Sequence, residues 1–100
     1  MIKHIVMWHL KETANSKSKT ENAKAIKEQL EALRGKIPGM VTIEVGLDFS
    51  QTVDSADIIL YSEFESKAAL DAYQKHPAHE AVKPLVQEAS TKRTVVDCEL

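Results

Sequence analysis

The first strand-like segment of the chain restricts the fold more than any other, because it is apolar on both faces. Residues 2–11, IKHIVMWHLK, are rich in Val, Ile and Trp and contain no Gly or Pro, which predicts a β-strand. Successive strand side chains point to opposite sides. One face carries Ile2, His4, Val6, Trp8 and Leu10, and the other carries Lys3, Ile5, Met7 and His9. Such a strand needs cover on both sides.

A helix is predicted next. Residues 13–18 form a polar loop, and Ser18 and Glu21 have the spacing of a capping box. Gly35 suits a left-handed residue at the C-terminal end of the helix, and Pro38 prevents its continuation. Between Ser18 and Pro38, apolar residues recur at steps of three and four, which predicts one apolar stripe on an amphipathic helix: Ala23, Ile26, Leu30, Leu33 and Ile37.

Three strands and a second helical region follow. MVTIEVGLDF alternates with a period of two, with Val41, Ile43, Val45 and Leu47 on its apolar face. DIILYSEFE, at 57–65, carries Ile58, Leu60 and Phe64 on one face and Ile59 and Tyr61 on the other. Ser66 caps a helix that runs to about Lys75. His76-Pro77 interrupts it, a second short helix contains a kink or restart at Pro84, and RTVVDCEL forms the last strand.

The order β-α-β-β-α-β predicts an α+β, ferredoxin-like fold over residues 1–100 as one domain, with a four-stranded antiparallel sheet and two helices on one face. The other face then exposes a contiguous apolar patch, which soluble monomers rarely do. We therefore expect a homodimer that packs two sheets face to face through Ile5, Met7, Ile59 and Tyr61.

Composition excludes some classes of function. The 100 residues are 43% hydrophobic and 28% charged with a net charge of -2, so no nucleic-acid partner is expected. No segment predicts a membrane span or a signal peptide. Cys98 is the single cysteine, which excludes an intramolecular disulfide and favours the cytoplasm.

Six segments together resemble the stress-responsive α/β-barrel (Dabb) family, from residue 2 to residue 99. They are IKHIVMWHLK, KIPGM, EVG, DIILYSEFES, AYQKHPAH and VVDCE. The resemblance implies a dimeric α/β barrel. Many members of the family have no assigned activity. For this chain the resemblance implies a stress-responsive protein of unassigned activity that binds a small apolar or aromatic ligand between the sheet and the helices.

A plant polyketide cyclase of that family, which closes a tetraketide by aldol condensation, suggests the alternative. The resemblance implies that Tyr73 and His79 are catalytic and that His4 contacts substrate, without a cofactor. The same cleft would include Val6, Trp8, Leu30 and Val82. This chain departs from the cyclase at Trp8, at Leu30 and at Asp57, where the cyclase has Leu, Tyr and His, so an indole could fill the space that a ligand needs.

The residues themselves leave two interpretations open. A neutral histidine such as His79 can take a proton from carbon next to a carbonyl, and a tyrosine hydroxyl can stabilise the enolate. Alternatively, His76-Pro77 is only a helix junction, Tyr73 is core and His4 is a buried histidine bonded to a carbonyl. A metal site that uses all four histidines is not expected, because His4 and His9 lie on opposite faces of one strand.

Overall fold

The computed structural model describes residues 1–100 and has one main antiparallel sheet. Its strands are β1 (Ile2–Leu10), β4 (Met40–Leu47), β5 (Ile58–Phe64) and β6 (Ser90–Glu99), in the spatial order β4-β5-β1-β6. Two short strands, β2 (Thr13–Ala14) and β3 (Lys17–Ser18), form a hairpin. The helices are α1 (Lys19–Glu31), α2 (Lys67–Lys75), α3 (Pro77–Glu80) and α4 (Lys83–Ala89). This is the predicted ferredoxin-like fold, and no helix is long and apolar enough to cross a membrane.

Strand β1 shows the predicted difference between its faces. Its alternate residues from Ile2 to Leu10 are buried, whereas Lys3, Ile5, Met7 and His9 are half-buried. The buried face belongs to a core of 19 residues that the helices cover. The opposite face of the sheet has no cover within the chain.

Helix α1 begins as predicted and ends earlier. The Ser18 side chain accepts a hydrogen bond from the Glu21 N–H, and the Glu21 side chain accepts one from the Ser18 N–H. The helix ends at Glu31, although Leu33 and Ile37 are buried. These two side chains reach the core from a turn, so the apolar spacing extends beyond the helix.

Two details of the strand predictions are wrong. Val41 and Leu47 are 51% and 38% exposed, so only Ile43 and Val45 of the apolar face in β4 are buried. The pairing with β5 shifts between Met40 and Thr42, which disrupts the alternation at Val41. The polar segment 13–18 contains the β2–β3 hairpin, whose turn residues 15 and 16 both have positive φ.

Side chains of α1 and of the turn after it cover the outer edge of β4. The Val45 N–H donates to Glu31 Oε2 at 3.0 Å, and Lys27 Nζ donates to the Val45 carbonyl at 2.5 Å. An Arg34 N–H donates to the Ile43 carbonyl at 2.5 Å. Side chains therefore occupy backbone groups that a further strand would need.

Gly39 and Gly35 provide a matched test of the packing of α2. Both have φ near +80°, but a Cβ on Gly39 would lie 2.6 Å from Ala69 Cβ on α2, whereas one on Gly35 would meet nothing. We expect Gly35→Ala to cost about 1 kcal/mol of unfolding free energy through backbone strain alone. Gly39→Ala should cost a further ~1–3 kcal/mol through overpacking. Urea unfolding measures both values, and equal losses would contradict the contact.

Candidate functional site

A cleft of about 310 Å³ lies between the helix-covered face of the sheet and helices α2, α3 and α4. The structure places His4, Val6, Trp8, Leu30, His79 and Val82 on its walls. Trp8 is buried within one wall and leaves the cleft open, so the indole does not fill it. Leu60 and Val86 extend the apolar lining.

The helical layer breaks at His76, which positions the polar groups of the cleft. His76 is extended, with φ −67° and ψ 135°, and Pro77 begins α3. The His76 Nδ1 accepts a hydrogen bond from the Ala78 N–H at 3.1 Å, so this side chain caps α3. A second restart separates α3 from α4, and Pro84 lies in the first turn of α4. His76-Pro77 is thus a helix junction.

The same junction brings the Tyr73 and His79 rings together. Their centroids are 4.2 Å apart at an interplanar angle of 33°. Tyr73 is fully buried, and its hydroxyl and the His79 Nδ1 are buried atoms without a hydrogen-bond partner. His79 lies on the cleft wall, whereas Tyr73 is not one of the lining residues and packs behind His79. Buried polar atoms are rarely left unpaired, so both atoms are exceptions.

The environment fixes the protonation of both groups near neutral pH. Burial raises the pKa of the Tyr73 hydroxyl far above its ordinary value, and the Arg93 guanidinium opposes this only in part. Burial lowers the pKa of the His79 imidazole, although the nearby Gln74 backbone carbonyl acts in the opposite direction. Tyr73 is therefore a hydrogen-bond donor and His79 is neutral.

His4 has a carboxylate partner that the sequence did not reveal. Its Nδ1 lies 2.5 Å from Asp97 Oδ1, while the imidazole is almost fully buried and Asp97 is half-exposed. The two residues face each other directly across the β1–β6 pair. The His4 ring also contacts Tyr73 edge-on, at 6.0 Å between centroids. His4 is thus bonded to a carboxylate and not to a backbone carbonyl.

Two cationic side chains complete the cleft, and neither was expected there. Lys83 and Arg93 both lie on its walls. Lys83 pairs with Glu80 at 2.6 Å, whereas Arg93 makes no ion pair and no side-chain hydrogen bond. The register between β1 and β6 places Arg93 opposite Trp8, and the spacing along the chain gave no signal for it.

Asp57 has a structural role outside the cleft. Its Oδ2 accepts a hydrogen bond from the Leu10 N–H at 2.7 Å, next to the irregularity in the β1–β6 pairing, and Lys19 lies 3.5 Å away. His9 lies on the opposite face of the sheet from His4. No three His, Cys, Asp or Glu side chains lie close enough together to hold a metal ion.

The model of the Stress Responsive A/B Barrel Domain, Dabb, matches residues 2–100. No curated protein matches the chain significantly. A dimeric protein of unknown function from Bacteroides fragilis, with a ferredoxin-like fold, is 34% identical with a TM-score of 0.87, and the match covers 99% of this chain and 95% of that one.

Two more distant structures show the fold alone. A dimeric ferredoxin-like protein of unknown function from Thermobifida fusca is 21% identical with a TM-score of 0.85, over 99% of this chain and 90% of that one. A hydroxynitrile lyase from Passiflora edulis is 19% identical with a TM-score of 0.80, over 97% and 90%. One fold thus includes an enzyme and proteins without an assigned activity.

The half-buried imidazole of His79 should make stability depend on pH. Since its pKa is lower in the folded state than the ordinary 6.5, the unfolded chain binds the proton first as pH falls. Stability from this group is fully present above about pH 6.5 and is lost below it. We expect urea unfolding from pH 8 to pH 5 to show a larger loss for the wild type than for His79→Gln. Parallel curves would contradict the assignment.

Proposed function

Because the chain belongs to the stress responsive A/B barrel domain family, we propose that it is a homodimer in which each subunit binds one small organic ligand between sheet and helices. The observation that carries this proposal is the open cleft. It combines apolar walls with His79, whose buried Nδ1 has no partner inside the protein. Ligand sites commonly join an apolar surface to a few such groups.

The charges around the cleft indicate the class of ligand. Arg93 is unpaired, Lys83 is the second cation, and the walls contain no acidic side chain. Val6, Trp8 and Leu30 offer an apolar surface. We propose an aromatic or medium-chain compound that carries a carboxylate, whose charge Arg93 would bind.

Trp8 reports on this ligand, because it is the single tryptophan and lies in the cleft wall. We expect aromatic carboxylates to change its emission saturably. Arg93→Gln should weaken carboxylate binding about tenfold, the loss of one charge-assisted contact of ~1.4 kcal/mol, and should leave the neutral amide analogue unaffected.

The matched control is Arg34→Gln, which removes the other arginine of the chain. Arg34 lies against β4, where it bonds the Ile43 carbonyl, and takes no part in the cleft. Its substitution should not alter ligand binding. An absence of any response across aromatic carboxylates in the wild type would refute the binding site.

The uncovered face of the sheet supports the dimer. Ile5, Met7 and Tyr61 are half-buried there, and Ile59 is 38% exposed. Val96, which is 51% exposed, faces the same side because it pairs directly with Ile5. The Tyr61 hydroxyl donates to Glu63, which also pairs with Lys3, so a polar network borders the apolar patch. An apolar centre with a polar rim is typical of an interface.

A charge in this patch should separate the subunits. We expect Ile59→Lys to give a monomer at micromolar concentration, because a lysine at the centre of an apolar interface loses its hydration. Sedimentation velocity measures the mass. Val53→Lys is the control, since Val53 is 97% exposed on the loop between β4 and β5 and is not part of the sheet. A wild-type monomer, or a dimeric Ile59→Lys, would contradict this interface.

A second candidate function is cofactor-independent catalysis of the aldol type, in which a histidine removes a proton next to a carbonyl. The buried, unpartnered Tyr73 hydroxyl favours it, because such a donor can stabilise the enolate oxygen. The family resemblance assigns the base to His79.

We propose that the protein is located in the cytoplasm, which the single, half-buried Cys98 supports.

A further inference from the structure

We propose that His4, held by Asp97, accepts the proton in the cleft, and that Asp97 is its positioning residue. The inference rests on the second candidate function, proton removal from carbon next to a carbonyl. The base is then His4 on β1 instead of His79 at the helix junction. Asp97 is an additional residue, to which the family resemblance gave no role.

The hydrogen bond determines which nitrogen of His4 is free. A carboxylate only accepts hydrogen bonds, so the proton between His4 Nδ1 and Asp97 Oδ1, 2.5 Å apart, belongs to Nδ1 when the ring is neutral. The Nε2 then keeps its lone pair, and His4 lies on the cleft wall. Backbone pairing on both edges of β1 fixes the main chain of His4, and the contact with Asp97 orients the ring.

His79 has a less favourable environment for gaining a positive charge. It has no carboxylate partner, because Glu80 is paired with Lys83. Burial lowers the pKa of His79, and the positive charge of Lys83 lowers it further. His4, by contrast, has the Asp97 carboxylate in direct contact to face the charge of an imidazolium. Neutral His79 suits hydrogen bonding to a ligand through its free Nδ1.

The proposed step balances without another reactant. The C–H bond next to the ligand carbonyl breaks, its electron pair remains on the ligand as an enolate, and the proton binds His4 Nε2. The Tyr73 hydroxyl has no other partner, and its ring adjoins both histidine rings behind the cleft wall; we assign it the hydrogen bond to the enolate oxygen. After the new carbon–carbon bond forms, the imidazolium returns the proton to the product oxygen.

The first experiment follows the His4 ring directly by long-range ¹H–¹⁵N correlation at neutral pH. We expect a protonated Nδ1 and an unprotonated Nε2 in the wild type. Asp97→Asn, which keeps the shape but removes the charge, should shift the ring towards the Nε2–H tautomer. The opposite tautomer in the wild type, or an unchanged ring in Asp97→Asn, would overturn the role of Asp97.

The second experiment uses 5-nitrobenzisoxazole, from which a base removes one C–H proton while the N–O bond breaks, giving a coloured cyanonitrophenolate. His4→Gln should lower kcat about a hundredfold and Asp97→Asn at least about tenfold, with KM little changed. His79→Gln, which removes a hydrogen bond to the ligand, should raise KM and lower kcat less than His4→Gln does. His9→Gln, on the opposite face of the sheet, is the control for substitution of a histidine.

The outcomes distinguish a wrong choice of base from the absence of proton abstraction. Loss of turnover in His79→Gln with full turnover in His4→Gln would return the base to His79 and overturn this inference alone. A wild type no faster than imidazole buffer would refute proton abstraction itself, together with this inference. Ligand binding detected through Trp8 would be unaffected by that result.

Discussion

The central position of β1 is the constraint on which the rest of the structure depends. Backbone pairing with β5 on one edge and β6 on the other leaves this strand no freedom to rotate or slip. Its period of two therefore sets the two surfaces of the domain. Ile2, Val6 and Leu10 hold the helices, and the alternate residues face outwards. His4 is the one polar member of the inner set, and the register determines that its partner is Asp97.

The helix junction and the candidate site are the same structural feature. Pro77 ends the continuity of the helical layer, and His76 satisfies the backbone at the break through its ring nitrogen. The restart turns His79 towards Tyr73, so two buried polar atoms arise from the geometry that a proline imposes. From the sequence alone, His76-Pro77 was either a helix junction or part of a candidate site. In the structure the helix junction also positions the residues of that candidate site.

Features that depend on the spacing of adjacent residues were predicted correctly from the sequence. Positions that depend on the pairing with a neighbouring strand were not. The alternation of β1 and β5, the Ser18 cap and the break before Pro77 all follow from adjacent residues. Asp97 and Arg93 were missed as cleft residues because their positions depend on cross-strand register, which spacing along the chain does not contain.

Burial was also harder to predict than periodicity. Leu33 and Ile37 keep a helical spacing but reach the core from a turn, and Val41 is displaced at the irregular start of β4. The open cleft depends on how Trp8 packs within its wall, a property of the whole core.

The closed edge of β4 limits how the sheet can grow. Glu31, Lys27 and Arg34 occupy the outward backbone groups of Ile43 and Val45, whereas β6 has no strand on its outer side. A fibre needs two free edges on every unit, one to receive a strand and one to offer it. Each domain offers a single edge, so strand addition between individual domains ends at a pair.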